Sequence, residues 1–517
     1  MKNKFFVLIS LLSFSWGGSQ LNDSVFIPDN QVLDKHLEKI WENPIQFSRA
    51  NYQDFTISEL AFTHKDFQFK RVQTAEESND YQFKTSGIFN VNPRLRLMGE
   101  FDYHFINEKN IGNTLSNQRT ENQFVLEPNY PFVPKKADWD NQKYHIKAGF
   151  SYELKKFDIG ATINYENQSS FRESDPRPEV KTADYSGRLF AGYHLGKHQI
   201  SGFIGAGRKN DSYTLSSVNE NIISPANPDY YVRFSNGYGR SIFYNDFDEY
   251  IVRNLNENFG GGYRFQNQTH FLSANYLYSH TLQDLFGQTS YGSVYYDDSL
   301  IDFKYRTISH KANLNYMNSN ANRKWTIFIE GESITGDNFN MNENGQNYRM
   351  TLDRVKMLNQ YLKLDKKRTI FGVETEVAYN DFSATDLLAI TNRYLQNLTA
   401  DFRMNKDLIF TDQFKFNTEI GAMGVFPISS ELNYVPSSAT NVFHDEVIAK
   451  DHAYDSTTSL GPQMKLSLFK NITSKTTMKF HAQFASLFAI SDEIKNHYRD
   501  FDNDPNFIFN FGLSIFY

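Results

Sequence analysis

Hydrophobic and polar residues alternate with a period of two along most of the chain. The pattern is plainest at its end, where Phe507, Phe509, Phe511, Leu513, Ile515 and Tyr517 are all large and apolar, with Asn510, Gly512 and Ser514 between them. Side chains alternate faces along a strand, so one face of this segment is apolar and the other is mostly polar. Residues 507–517 match the roughly 9–11 that a tilted strand needs to cross a bilayer. Hydrocarbon offers no partner to a free strand edge, so the segment is predicted to close a barrel by pairing with an early strand of the same chain.

The same alternation recurs from about residue 55. Leu95, Leu97, Gly99, Phe101, Tyr103 and Phe105 form one face, and Arg94, Arg96, Met98, Glu100, Asp102 and His104 the other. Arg or Lys facing lipid at the bilayer midplane costs roughly 2–4 kcal/mol, which assigns the charged stripe to the interior. Its hairpin partner is Tyr81–Val91, turning at Asn92-Pro93. Further hairpins pair 144–154 with 157–165 and 185–195 with 198–207, and lie within 258–280, 304–332, 355–380, 392–424 and 458–488. Tight turns are placed at 155–156, 196–197, 266–267, 319–320, 366–367, 406–407 and 470–471. Long connections at 107–142, 168–182, 208–254, 281–303, 335–350, 426–456 and 489–506 are rich in Asn, Asp, Ser and Tyr.

With an opening strand near 60–72 and the closing strand, the expected fold is all-β: a transmembrane antiparallel up-and-down β-barrel. It has about 18 strands, with 16 as the alternative, short periplasmic turns and long extracellular loops. A soluble sandwich also alternates, but it needs neither bilayer-length segments nor an aromatic closing strand.

Composition sharpens the picture at a few points. The 517-residue chain has no cysteine, which excludes disulfides, thiol chemistry and a lipidated N-terminal cysteine. Mean hydropathy of -0.57 is too low for a helical membrane protein, whereas 47 Phe and 31 Tyr suit lipid-facing girdles. A net charge of -7 with mixed signs gives no nucleic-acid footprint.

Lys2, Lys4, the apolar run Phe5 to Phe14, and Gly17, Gly18 and Ser19 read as a signal peptide over residues 1–19, which implies export to the cell outer membrane. Residues 20–54 form a periplasmic or lumenal N-terminal segment, and 55–517 form the barrel. Within that segment Val32, Leu33, Leu37, Ile40 and Trp41 have helical spacing before Asn43-Pro44; such a helix would cap the periplasmic mouth, enter the lumen or lie on the surface.

Candidate chemistry is sparse. Gly237-Tyr238-Gly239-Arg240-Ser241 lacks a nucleophile elbow, and reads as a glycine-rich loop. His194 and His198 flank a turn without a third metal ligand. No catalytic, metal-binding or cofactor residue is assigned. The candidate functional positions are instead the lumenal or loop residues Arg94, Arg96, Glu100, Asp102, Asp175, Arg177, Glu374 and Glu376. Asp175-Pro176-Arg177-Pro178 is stiff because proline fixes φ and restricts the preceding residue. It reads as a rigid loop over the pore or toward a partner, or as a well-defined loop start. Inward Glu330, Glu332, Glu374 and Glu376 share the lumen with Arg188, Lys415, Lys465 and Lys479, so ion pairs are expected across it rather than a selective filter.

Three motifs carry a family likeness: Phe69-Lys70-Arg71-Val72-Gln73-Thr74-Ala75-Glu76, Leu97-Met98-Gly99-Glu100-Phe101-Asp102-Tyr103, and Phe171-Arg172-Glu173-Ser174-Asp175-Pro176-Arg177-Pro178. Through them the chain resembles an uncharacterised outer-membrane β-barrel family of Bacteroidota, over roughly residues 60–215, and the barrel pattern continues to Tyr517. The resemblance implies an outer-membrane barrel of the kind associated with energised, TonB-dependent uptake systems; because the sequence offers no convergent nucleophile, base and acid, the expected function is a non-enzymatic barrel for solute uptake or binding, or an accessory to such a system. The expected partners are outer-membrane lipid, the barrel assembly machinery, and a TonB-dependent receptor or surface lipoprotein. A structural or assembly barrel that binds protein through its loops is the alternative, and a cell-surface hydrolase is a third reading.

Overall fold

The structure, a computed structural model, describes residues 41–47, 54–117, 128–219, 227–239, 241–243, 249–286, 301–341, 343–365, 368–411, 413–435, 443–473, 475–490 and 505–517. The expected signal segment, the helical spacing through Ile40 and the turn at 366–367 lie outside the described residues. The strands are β1 Phe55–Asp66, β2 Glu77–Asn92, β3 Leu95–Ile111, β4 Asn129–Phe132, β5 Ala137–Glu153, β6 Phe157–Arg172 and β7 Arg177–Leu195. There follow β8 His198–Ser216, β9 Arg233–Asn236, β10 Ser241–Phe243, β11 Glu249–Gln266, β12 His270–Phe286, β13 Ile301–Asn320 and β14 Arg323–Asn340. The remainder are β15 Tyr348–Asp365, β16 Arg368–Asp386, β17 Thr391–Phe410, β18 Phe414–Tyr434, β19 Ser459–Asn471, β20 Thr477–Ala489 and β21 Asn506–Phe516.

Eighteen of these make one antiparallel sheet in which each strand pairs with its neighbours in sequence, apart from the short β4, β9 and β10. The sheet closes where β21 pairs with β1, setting Phe511 opposite Phe62 and Asn510 opposite Thr63, so no edge is left for hydrocarbon to meet. The fold is therefore a transmembrane β-barrel of 18 strands rather than 16. Its outside carries the apolar half of the alternation: Ile146, Ile159, Ile163, Leu189, Ile204, Phe259, Val355, Ile420 and Phe511 are all exposed, from strands all round the wall. An apolar belt of that extent has no stable place in water.

Most strands are longer than a bilayer requires. β1, β19, β20 and β21 have 12, 13, 13 and 11 residues, while β18 has 21 and β13 and β17 have 20. The excess extends past the membrane and shortens the expected loops. The connection expected at 168–182 is the case in point: β6 runs to Arg172 and β7 starts at Arg177, leaving a tight turn. β17 runs through the turn expected at 406–407 and on to Phe410, and Asp407 points inward and is already satisfied there. It accepts from Thr369 N–H at 2.6 Å and Asn417 Nδ2 at 2.8 Å, and it pairs with Lys415 at 3.3 Å. The opening strand is 55–66 rather than 60–72, since Phe69 is buried against Tyr454, with ring centroids 4.6 Å apart, and does not face lipid.

Candidate functional site

The lumen is filled from both ends. At the extracellular end β4, β9 and β10 form a small antiparallel sheet, with Tyr130 opposite Ser235 and Ser241 opposite Ser235 on its other side. A helical segment, 444–455, lies with it. The wall answers with apolar residues at inward positions: Trp139, Val180, Tyr213, Tyr250, Val252, Leu285 and Phe303 are buried in one cluster with Ala75, Ile111 and Phe234 of β9. Phe234 stacks on Phe303 at 5.3 Å and meets Tyr250 edge-on at 6.4 Å. Tyr130, Phe132, Phe443, Val447 and Ile448 form a second cluster. Burial of each such side chain is worth about 1.5–3 kcal/mol.

A charged knot lies inside this plug. Asp455 of the helix accepts from both Arg71 and Arg393, and the Arg393 guanidinium also donates to Tyr238 Oη at 2.8 Å. Asp451 accepts the Val72 N–H at 2.9 Å, and burial pushes its carboxyl up to about 6. Burial takes the nearby His452 the other way, down to about 4. Gly237 and Gly239 adopt φ of 101° and 119°, and a Cβ on Gly237 would stand 2.1 Å from Asp386 Oδ2. The glycines of this motif thus serve the close approach of β9 to the wall. Ser241 begins β10 of the inner sheet.

From the periplasmic end, residues 41–47 enter the lumen as a short turn, Pro44–Phe47. Ile45 is fully buried, against wall positions where the chain has glycine: a Cβ on Gly160 or Gly192 would lie 2.9 Å from it. On Gly262 a Cβ would lie 2.4 Å from Gln46 Nε2. Asn43 Nδ2 donates to Ser201 Oγ at 3.0 Å and Asn275 Oδ1 at 3.1 Å, and Gln46 Nε2 donates to the same Asn275 oxygen at 2.8 Å. Gln199 donates to Ile45 O at 3.0 Å, and Arg264 to Gln46 O. Three inward glycines and a matched set of donors and acceptors make this a shaped seat. Of the sequence's three placements for the N-terminal helix, its described end, Trp41-Glu42, enters the lumen.

Between the two closures lies a cavity of about 660 Å³, lined by Trp41, His145, Arg188, Lys311, Phe328 and Leu358 among others. Ion pairs cross its walls: Lys147 with Glu100 at 2.9 Å, Lys311 with Glu330 at 3.2 Å and Glu42 at 3.8 Å, and Lys356 with Glu376 at 2.5 Å.

Glu100 is buried between Lys147 and Lys84, and Asp102 bonds Gln82 at 2.9 Å and His104 at 3.3 Å. Glu374 accepts from Gln360 at 3.0 Å and Arg403 at 3.4 Å. Arg96 donates to Asn90 at 2.8 Å near the turn. Arg94 does not line the lumen: it is exposed in the turn itself, where the Asn92 side chain caps the N–H groups of residues 94 and 95 at 2.9 and 3.0 Å. Nor does Asp175-Pro176-Arg177-Pro178 fold over the pore. Asp175, before a cis proline, accepts from Arg177 at 2.8 Å and from the N–H groups of Val218 and Asn219, and so ties its own turn to the next connection.

His194 and His198 lie on opposite faces of the wall. His194 is buried on Asp158, whereas His198 is exposed and bonds Tyr263 Oη at 2.7 Å, so the two share no ligand. Phe507, Phe509, Phe511, Leu513, Ile515 and Tyr517 share the outer face of β21. One contact has no sequence signal: Ser430 Oγ lies 3.2 Å from His452 Nδ1, across a loop. Ser456 donates to that serine at 2.7 Å, and the adjacent acid, Asp455, is occupied by two arginines.

These features define a membrane-spanning, outer-membrane-type barrel whose lumen is occupied. The chain belongs to the family described as "Family of unknown function (DUF6850)", which matches residues 44–517. No curated protein matches it. Among solved structures it is similar to the outer membrane transporter YddB from Escherichia coli (TM-score 0.37, 8% identity, 90% of this chain and 81% of that one covered). It is also similar to BauA, the ferric preacinetobactin receptor from Acinetobacter baumannii (TM-score 0.38, 7% identity, 90% and 80% covered), and to the copper transporter OprC (TM-score 0.42, 6% identity, 90% and 80% covered).

Proposed function

We propose that this chain is a non-enzymatic outer-membrane barrel, exported by its N-terminal segment, which binds a small solute in its lumen and passes it under gating control. In this reading it works as an accessory to an energised, TonB-dependent uptake system. One observation carries the proposal: a mid-lumen cavity that lies between an extracellular plug and a periplasmic segment seated on wall glycines. A barrel of 18 strands is otherwise wide enough for an aqueous channel. Filling it from both ends removes steady diffusion and leaves a compartment that opens when one closure moves. A partner on the periplasmic side would act on the segment that precedes Pro44. The test is native purification from outer membranes in mild detergent. An energised receptor or a surface lipoprotein should co-purify in fixed proportion; a barrel that purifies alone and swells liposomes in sugar solutions would contradict the proposal. The Ser430–His452 contact favours hydrolysis as a second reading, and labelling of Ser430 by a fluorophosphonate probe would support it.

A further inference from the structure

We infer that the lumenal cavity is a binding site for a small organic anion with an apolar body, held by Arg188. This inference rests on the proposal that the lumen takes up a solute. The three acidic side chains that line the cavity are each met by a cation or amide donor. Glu166 pairs with Lys143 at 3.1 Å, Glu330 with Lys311 at 3.2 Å, and Glu42 accepts from Asn313 Nδ2 at 2.9 Å besides its contact with Lys311. The cavity lysines are likewise matched, Lys147 by Glu100 and Lys356 by Glu376. Arg188 differs. Glu42 of the same cavity attracts it from beyond ion-pair distance, but among the described residues no carboxylate lies within that distance, and its one hydrogen bond runs from Nε to Asn258 Oδ1 at 3.1 Å. That bond, with the Phe203 ring 5.8 Å from the guanidinium carbon, orients the group on the cavity wall, and among the described residues no hydrogen bond engages its two terminal nitrogens.

The wall is cut for this posture. A Cβ on Gly205 would stand 2.6 Å from Arg188 Cγ and 2.7 Å from Asn258 Oδ1. A planar guanidinium with paired free N–H groups matches a carboxylate in two-point fashion. Trp41, Phe328 and Leu358 line the same cavity and give the ligand's body an apolar surface; its volume of about 660 Å³ is within the usual range for small-molecule sites.

The experiment is equilibrium dialysis of the full chain in lipid nanodiscs with radiolabelled phenylacetate, beside 2-phenylethanol and 2-phenylethylamine, which carry the same ring with no charge or a positive one. Phenylacetate should bind saturably and more tightly than the alcohol, and the amine least. Arg188→Gln should weaken phenylacetate roughly tenfold or more, as loss of a charge-assisted pair does, and leave the alcohol unchanged. Arg188→Lys should restore part of the affinity, and Gly205→Val, which displaces the guanidinium, should lower it. Heat-modifiable migration of each variant reports that the barrel has formed. Equal binding of all three probes, no saturable phenylacetate binding, or an Arg188→Gln variant that binds like the parent would overturn the inference. Entry of radiolabelled phenylacetate into proteoliposomes that also hold the co-purified partner reads passage separately. Entry without saturable binding overturns only the anion site, and binding without any entry overturns only the uptake reading.

Discussion

Asp455→Ala is expected to loosen the extracellular plug without unfolding the barrel. In the parent, one nearly inaccessible carboxylate answers two arginines, with side-chain exposures of 2% for Asp455, 5% for Arg393 and 12% for Arg71. Removing one partner of a buried pair leaves uncompensated charge and costs about 3–5 kcal/mol. At tenfold per 1.4 kcal/mol, the local opening equilibrium of the plug should rise roughly a hundred- to a few thousand-fold. Phe443, Val447 and Ile448 still hold the helix at about 1.5–3 kcal/mol each, so the change is a higher opening frequency rather than permanent release. Barrel hydrogen bonds are independent of the knot and should persist.

Hydrogen exchange with mass spectrometry reads this directly: faster exchange over 443–458, 67–76 and 228–239, and none in the wall strands. The triple variant Arg71→Met, Asp455→Leu, Arg393→Met removes the charges together and should recover much of the protection. Unchanged exchange over 443–458 in Asp455→Ala would show that the knot does not hold the plug.

pH should act on the same element through two groups of opposite sign. Asp451 has a raised value, about 6, so its share of stability is complete below the ordinary carboxylate range and is lost as pH rises through 6. His452 has a lowered value, about 4, so its share is complete above the ordinary imidazole range and is lost as pH falls through 4. Plug protection in the parent should therefore vary little between pH 4 and 6.5, rise with pH in Asp451→Asn and fall with pH in His452→Gln; parallel profiles in the two variants would contradict these assignments. Deleting Phe511–Tyr517 should abolish the heat-modifiable membrane species, since β1 and β20 would both face hydrocarbon unpaired. Cysteine at Ile159 or Phe511 should resist a water-soluble maleimide in the membrane, whereas cysteine at the lumenal Asn510 should react once the closures are removed; equal labelling of the two faces would argue against the assigned register.

The barrel was legible in the sequence because lipid on one face and water on the other impose a period of two on every strand. Leu95–Phe105 and Phe507–Tyr517 show it over their whole length, and turn chemistry at Asn92-Pro93 and Gly196-Lys197 fixed the frame. Strand ends were less legible, since β6 and β7 continue past the bilayer, where alternation no longer has to follow the lipid boundary. The plug was illegible in its parts. Its residues come from connections around 70, 130, 234 and 450, each too short to show a pattern of its own. Inward apolar residues such as Val180, Leu285 and Phe303 sit beside polar neighbours, Glu179 and Lys181, Asp284, and Asp302 and Lys304, so past the bilayer the alternation inverts to apolar inside and polar outside, the reverse of the rule that reads the wall. Arg188 was visible as one more inward charge. Its posture depends on Gly205 and Asn258 of neighbouring strands, which only the register brings together.

Single-channel recording in planar bilayers reads whether the lumen is closed at both ends. The full chain should give little or no steady conductance. Deletion of residues 20–47 combined with Asp455→Ala should produce frequent large openings, each change alone producing fewer. Large, stable, porin-like conductance from the full chain would contradict a closed lumen and make the protein a channel for open diffusion.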